Sequence, residues 1–166
     1  MRYFLYEYEQ HLLHRSRQQK VDWGDLLKSQ GDLISIEHLY PQTPTPDWEA
    51  TFKDVPEKQR ERYAGSLGNL LLLSMTINAL LQNDAFSKKK PKFDGSGTKA
   101  RNGYSDGSHS EIEVAADNDW GPEQIRNRGH RLLKFMESRW DILLKDEDRE
   151  KLLFLSREEH EEMASA

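Results

Sequence analysis

Two short apolar runs of strand-like composition constrain the fold of this chain more than any other feature. The first, residues 33–40, ends at a proline, and the second, residues 69–73, leads directly into a helix-compatible segment, residues 74–82. Both runs have the length of strands rather than of helices. The connection contains four prolines within residues 41–56 and is expected to be mostly irregular there, with a short polar helix over residues 57–66. This order predicts an α+β core.

Helical periodicity is the main pattern in the rest of the chain. Residues 1–20 carry apolar side chains at three- and four-residue spacing, and residues 122–140 begin with a proline suited to the first helical position. We therefore predict a mostly helical α+β fold that forms one domain of 166 residues. Its predicted parts are an N-terminal helix within 1–30, a core at 33–93, a mobile Gly/Ser-rich loop at 94–110, a closing helix at 121–140 and an acidic tail at 141–166 with an apolar patch at 152–155.

The charge distribution is uneven. The formal net charge of −5 by itself argues against a nucleic-acid partner, but residues 88–101 hold six basic side chains against one acid. Such a run is either a phosphate-binding surface or simply a solvated face. The chain has no cysteine, which excludes disulfides and thiolate metal sites. We find no leader and no apolar run near the roughly 20 residues of a membrane span, so we expect a cytoplasmic protein without a membrane partner.

A carboxylate and a histidine, Glu37 and His38, stand side by side at the end of the first apolar run. Neighbouring side chains of a strand point in opposite directions. One of the two could therefore bind a metal ion while the other reaches a water molecule. Taken alone, such a pair is more often structural than catalytic.

Two asparagines frame the second apolar run. Asn69 precedes the run, and Asn78 follows Asn69 by nine residues, among apolar neighbours of the predicted helix. A buried amide in an apolar helix costs stability, so its presence makes sense if it faces a metal ion or a polar site. A histidine on the first strand and an amide on the following helix together have the arrangement of a ββα-metal hairpin surrounded by helices.

Several motifs then resemble one family. IEHLYPQ at 36–42, LGNLLLLS at 67–74 and the spacing of Asn78, Asn83, Phe86 and Lys89 are similar to the HNH (His-Me finger) domain at the C-terminus of GmrSD-type modification-dependent restriction enzymes. Trp48 and the series Trp120, Ile125, Arg128, Leu132 or Leu133 and Trp140 also fit this family. The resemblance extends from residue 1 to about residue 140, with its elements in the same order, and leaves the tail uncovered.

The resemblance implies roles for individual residues. His38 would deprotonate the attacking water, and Asn69 would brace the loop that aims it. Glu37 and Asn78 would be the protein ligands of Mg²⁺ or Mn²⁺, the hard cations that oxygen donors favour. Asn83 would cap or turn the helix end. Phosphate contacts would come from the basic run, namely Lys88, Lys89, Lys90 and Arg101. The chemistry is consistent, since histidine has an ordinary pKa near 6.5 and can act as a base at neutral pH.

The function implied is a metal-dependent DNA endonuclease or nickase, acting as the cutting module of a bacterial anti-phage restriction system. The resemblance implies an NTPase or recognition domain, in the same protein or in a partner chain. The start of the sequence within an amphipathic helix also favours a piece of a longer protein. Two alternatives stay open: a catalytically inactive HNH fold that binds nucleic acid or protein, and a ribonuclease or toxin nuclease. Tyr104 and Arg101 are candidates for stacking on a base, whereas His109 is more simply an exposed loop residue.

Overall fold

The two predicted strands pair as an antiparallel sheet. The computed structural model describes residues 1–16, 24, 34–90 and 103–155, and within them the sheet consists of β1, Ile34–His38, and β2, Leu70–Ser74. In the register, Ile34 lies opposite Ser74 and His38 lies opposite Leu70. The end of β1 therefore meets the start of β2, which places His38 close to the residue that precedes β2.

Helices form most of the remaining described chain, so the fold is α+β and mostly helical as predicted. None of the described helices is long and apolar enough to cross a membrane. Short 3-10 turns lie at Pro46–Trp48, Leu67–Asn69 and Tyr104–Asp106. The helices are α1 Arg2–Ser16, α2 Glu49–Phe52, α3 Glu57–Gly65, α4 Met75–Leu81, α5 Phe86–Lys89, α6 His109–Ala115, α7 Pro122–Trp140 and α8 Asp146–Leu152.

Strand β2 is covered on both faces, which explains its unbroken apolar sequence. Leu71 and Leu73 belong to a buried cluster with the side chains of the β1–β2 connection. Leu70 and Leu72 pack on the other side with Leu5 of α1. A strand buried on both faces needs apolar residues at consecutive positions rather than at alternate ones. The helix that follows it, α4, confirms the predicted order of strand, strand and helix.

The connection between the strands is mostly irregular over residues 41–56, as predicted. Within this proline-rich stretch lie a 3-10 turn and the short helix α2, neither of which the sequence pattern indicated. Aromatic packing supplies the order that the backbone pattern did not reveal. The ring of Tyr40 stacks on Phe52 with centroids 3.8 Å apart, and Trp48 packs edge-on against Tyr40. This packing folds residues 39–69 back toward the sheet.

Helix α7 closes the structure where it was predicted, over residues 122–140. It buries Ile125, Leu132 and Leu133, the apolar stripe expected from the sequence. It passes so close to the turn before β2 that a Cβ atom on Gly68 would lie 1.9 Å from the backbone oxygen of Ile125. The close approach of the α7 backbone therefore requires glycine at position 68, and α7 packs directly against the segment that precedes β2.

The predicted loop at 94–110 contains regular structure in its described part. Residues 103–110 contain a 3-10 turn and the start of α6, while residues 94–102 lie outside the described residues. The Ser108 hydroxyl accepts a bond from the Glu111 backbone, and the Glu111 carboxylate accepts one from the Ser108 backbone. The Glu9 carboxylate of α1 also accepts bonds from the backbone N–H groups of His109 and Ser110 at 2.8 Å each. Capping from within and from a distant helix stabilises a segment whose composition suggested a loop.

The acidic tail is structured up to residue 155. Side-chain ion pairs link helix α8 to α7, among them the bond from Arg149 to the Glu137 carboxylate at 2.7 Å. The apolar patch at 152–155 places Leu153 and Leu155 in the buried cluster that contains Leu132. The tail is thus part of the fold, although the charge pattern alone suggested a solvated segment. Residues 156–166 lie outside the described residues, as do residues 17–23 and 25–33, which include the second half of the N-terminal segment predicted within 1–30.

Candidate active site

His38, the last residue of β1, is held on one side by the backbone of α3. Its Nδ1 atom lies 2.8 Å from the carbonyl oxygen of Ala64. A carbonyl oxygen can only accept a hydrogen bond, so in the neutral ring the proton is on Nδ1 and the lone pair is on Nε2. The side chain is half-buried, and Nε2 has no hydrogen-bond partner among the described residues. In this form the imidazole can accept a proton at Nε2.

Asn69 is completely buried beside His38, and its amide uses all of its hydrogen-bonding capacity. Its Oδ1 accepts from the backbone N–H of Tyr40 at 2.8 Å and from the indole N–H of Trp120 at 3.1 Å. Its Nδ2 donates to the carbonyl oxygens of Tyr40 at 2.8 Å and Ala64 at 2.9 Å. Asn69 therefore joins the residues after β1, the end of α3 and the segment that precedes α7, and it shares the Ala64 oxygen with His38.

Glu37 is buried in an ion pair. Its Oε1 atom accepts from the Lys89 ammonium at 2.6 Å and from the Tyr104 hydroxyl at 3.0 Å. The Lys89 side chain is 0% exposed and that of Glu37 is 6% exposed. The Lys89 nitrogen also donates to the Leu39 carbonyl at 3.4 Å. Helix α5 and the turn before α6 thus supply the groups that compensate a carboxylate on β1.

Asn78 lies on α4, next to the β1 face that carries Glu37. Its Nδ2 donates to the Ser35 hydroxyl at 2.9 Å. Side chains two residues apart on a strand share one face, so Ser35 and Glu37 project to the same side of β1. Asn78 is therefore bonded to the face of β1 that carries Glu37, and His38 occupies the adjacent position at the strand end.

The oxygen atoms that remain suit a hydrated hard cation better than a closed metal cage. The Oε2 atom of Glu37 and the Oδ1 atom of Asn78 make no hydrogen bond to any described residue. Among the described residues, no group of three or more His, Asp or Glu side chains is placed to hold a metal ion. Carboxylate and amide oxygens are ligand types that Mg²⁺ accepts, with water in the remaining positions. The Lys89 ammonium already balances the charge of Glu37, so a cation here would share that carboxylate.

The structure separates the predicted phosphate-binding lysines. Lys88 is exposed, with 62% of its side chain accessible, and its ammonium lies 3.2 Å from the Asp47 carboxylate. Lys89 differs from the expectation, because its fully buried ammonium is bound to Glu37 and no part of its side chain reaches solvent. Of these two neighbours, only Lys88 is placed to meet a phosphate.

Lys90 is also engaged by the protein itself. Its ammonium donates to the backbone carbonyl of Asp117 and lies 5.3 Å from the ring centroid of Phe86. These contacts hold its side chain against the fold, so the expected phosphate contact would require it to exchange partners. Arg101, the fourth predicted basic residue, lies outside the described residues.

Three other sequence expectations have clear outcomes. Tyr104 is 0% exposed, so it cannot stack on a base as suggested. His109 begins α6, with its Nε2 atom 2.9 Å from the Ser16 hydroxyl, rather than lying in a free loop. Asn83 is a turn residue as predicted, and its carbonyl oxygen accepts from the Trp48 indole at 3.2 Å.

Sequence reasoning missed the groups that support the site from outside the motifs. The acceptor for His38 is a backbone oxygen of Ala64, which no side-chain pattern can reveal. Trp120 belonged to a recognised motif, but its bond to Asn69 joins residues 51 positions apart. One usable signal existed for Lys89: a buried carboxylate such as Glu37 needs a cationic partner, and the basic run offered several.

Comparison with protein-family models identifies the family of this chain. The family model for the C-terminal domain of GmrSD restriction endonucleases matches residues 1–135. The match includes β1, the β1–β2 connection, β2, α4 and most of α7. The searches of curated proteins and of solved structures found no match.

Proposed function

Because this chain belongs to the family of GmrSD restriction endonuclease C-terminal domains, we propose that it is a metal-dependent DNA endonuclease of the HNH class. The substrate is a phosphodiester bond, and β1, β2 and α4 form its ββα-metal hairpin. The observation that carries the proposal is the arrangement of His38 at the end of β1. A protonated Nδ1 held at 2.8 Å by a backbone carbonyl leaves a basic Nε2 facing away from that contact.

His38 acts as the general base. Its Nε2 lone pair takes a proton from the water that attacks phosphorus, and the Ala64 oxygen holds the Nδ1 proton throughout. The positive charge formed on the ring during proton transfer is stabilised by that same oxygen. General-base catalysis of this kind contributes about 10²–10⁴-fold to a rate.

Asn69 positions the base without taking part in the chemistry. Its amide fixes the Ala64 oxygen and both backbone polar groups of Tyr40. These contacts hold the two ends of the β1–β2 connection together, directly beside His38. The imidazole therefore does not need to reorient when substrate binds.

Glu37 and Asn78 are the residues that would hold Mg²⁺ or Mn²⁺, through Oε2 and Oδ1. When bound, such a cation neutralises charge on the scissile phosphate and on the leaving oxygen. Lys89 keeps Oε1 of Glu37 in place, and Ser35 keeps the Asn78 amide oriented. The chain thus contributes two fixed oxygens and leaves the remaining positions to water and substrate.

DNA recognition is proposed to depend on a second domain. The family name describes a C-terminal domain, and we propose an NTPase or recognition domain in the same protein or in a partner chain, acting in bacterial anti-phage restriction. Lys88 is an exposed, described member of the basic run, and we propose that its ammonium contacts a phosphate by exchanging the Asp47 carboxylate. Tethering would raise the local concentration of the cutter at DNA held by its partner.

A nicking assay on supercoiled plasmid tests the proposal, run with Mg²⁺, with Mn²⁺ and with a chelator, beside a labelled RNA of similar length. We expect nicked DNA with either cation, no product with the chelator and little cleavage of the RNA. Preferred RNA cleavage would support a ribonuclease instead. DNA binding without cleavage under all conditions would identify an inactive binding module.

A further inference from the structure

Arg128 of α7 binds the backbone on both sides of Asn69. Its Nη1 donates to the carbonyl oxygen of Gly68 at 2.8 Å and to that of Leu70 at 2.6 Å. The carbonyl between them, that of Asn69, accepts from the Leu39 N–H at 3.0 Å on the side of β1. Three consecutive carbonyls are therefore fixed, two by one nitrogen of Arg128.

Burying the Arg128 guanidinium costs free energy, which indicates that its role is to position the backbone rather than to stabilise the fold. Arg128 is 2% exposed, and its Nε and Nη2 have no hydrogen-bond partner among the described residues. Burial lowers the pKa of Arg128 below its ordinary value. A buried cation with unpartnered donors contributes poorly to net stability compared with an apolar side chain of similar size. What Arg128 provides is a rigid planar donor that reaches two carbonyls at once.

The contacts of Arg128 are connected to His38 through Asn69 and the Ala64 carbonyl oxygen. The backbone that Arg128 fixes carries the Asn69 amide, and that amide donates to the Ala64 oxygen. The same oxygen accepts from His38 Nδ1. A shift of the backbone at residue 69 would move or release the Ala64 oxygen, and His38 would lose the acceptor that fixes its tautomer.

We propose that Arg128 is a positioning residue that sets the orientation and tautomer of His38 through Asn69. This inference rests on the proposed function only where it concerns rate. In the absence of the guanidinium, the imidazole distributes between its two tautomers, and the fraction with a free lone pair at Nε2 falls. Misplacement of a catalytic group by about 1 Å can cost about 10²-fold in rate.

The test compares Arg128→Met, Arg128→Lys and, as a control on the same helix, Arg131→Met. Arg131 forms a partly exposed ion pair with Glu113 at 2.9 Å, whereas the described side-chain hydrogen bonds to the Gly68 and Leu70 carbonyls come from Arg128. The ¹⁵N chemical shifts of the His38 ring give the tautomer without substrate, and single-turnover cleavage at saturating Mg²⁺ gives the rate. We expect the Nδ1–H form in the parent and in Arg131→Met. In Arg128→Met we expect mixed tautomers and a rate lower by about 10²-fold, and in Arg128→Lys an intermediate result.

The outcomes separate this inference from the proposed function. A folded Arg128→Met protein with the parental tautomer and rate would overturn the positioning role, as would an equal change in Arg131→Met. If Arg128→Met does not fold, Arg128→Lys decides, and values identical to the parent in both measurements would overturn the role. If the parent cleaves no DNA, the proposed function fails, and the ring shifts still decide whether Arg128 controls His38.

Discussion

His38 and Asn69 donate hydrogen bonds to the same acceptor, the carbonyl oxygen of Ala64, at 2.8 and 2.9 Å. One residue ends β1 and the other immediately precedes β2, so the pairing of the strands brings both to the end of α3. The orientation of the proposed base is therefore a joint property of the sheet, of α3 and of the amide of Asn69. Each of these can be changed separately.

Replacing Asn69 by Ala should lower both the rate at saturating Mg²⁺ and the melting temperature. The change leaves the buried N–H of Tyr40 and the indole N–H of Trp120 without an acceptor. Each buried group left unsatisfied costs about 1–3 kcal/mol. Thermal unfolding and single-turnover cleavage, measured on the same preparation, check this. A parental rate at saturating metal in a destabilised variant would contradict the positioning role of Asn69.

Replacing Glu37 by Gln or Asn78 by Ala should raise the Mg²⁺ concentration needed for half-maximal cleavage. Gln is the least disruptive change at position 37, because it keeps an oxygen for the buried Lys89 ammonium, and unfolding curves must accompany the titration because the buried cation loses its counter-charge. Asn83→Ala is the matched control, since Asn83 is exposed and contributes its backbone oxygen rather than a ligand. Mg²⁺ titrations that coincide for the parent and for both site variants would place the metal ligands elsewhere.

Replacing Lys89 by Met should destabilise the fold strongly, because it leaves the Glu37 carboxylate buried without a cation. Removing one partner of a buried ion pair costs about 3–5 kcal/mol. The double variant Glu37→Gln with Lys89→Met removes both charges and should recover much of that loss. Lys88→Met is the control, because Lys88 pairs with Asp47 at the surface. Equal free energies of unfolding for Lys88→Met and Lys89→Met would contradict the buried pair.

Replacing Lys88 by Glu should weaken binding of unrelated DNA sequences to a similar extent. Each lost phosphate contact removes roughly 0.9 from the slope of log affinity against log salt. The control is Lys145→Glu, which reverses an exposed charge in the segment before α8. Fluorescence anisotropy across a salt series measures both slopes. A loss confined to one DNA sequence would indicate base recognition by Lys88 instead.

Much of the fold could be predicted because its pattern is local. The proline at the first position of α7 and its apolar stripe defined residues 122–140, and β1 and β2 followed from short apolar runs. The start of α6 within the predicted loop was not foreseen, because the Gly/Ser-rich composition hid the Ser108 cap, and because Glu9 supports α6 from a distant part of the sequence. Contacts between distant residues leave no periodic signal.

In the candidate site, too, local motifs could be predicted from the sequence, whereas contacts between distant residues could not. His38, Asn69, Glu37 and Asn78 stand in motifs that sequence reasoning could name. The environment of Glu37 could not be inferred, because its partners Lys89 and Tyr104 lie 52 and 67 residues away. The basic run consequently appeared as one phosphate-binding surface, whereas the structure uses Lys89 inside the protein. Charge counting gives the number of cations, and only packing decides which of them reach solvent.

The central claim is that the Nε2 lone pair of His38 activates water at a phosphodiester bond. The most direct measurement is single-turnover cleavage of plasmid DNA at saturating Mg²⁺ by the parent, by His38→Ala and by His14→Ala, with unfolding curves for all three. His14 is exposed on α1 and serves as the control. We predict that His38→Ala folds and loses about 10²–10⁴-fold in rate, while His14→Ala matches the parent. A His38→Ala rate within about threefold of the parent, far below the 10²-fold minimum for a lost general base, would contradict the account.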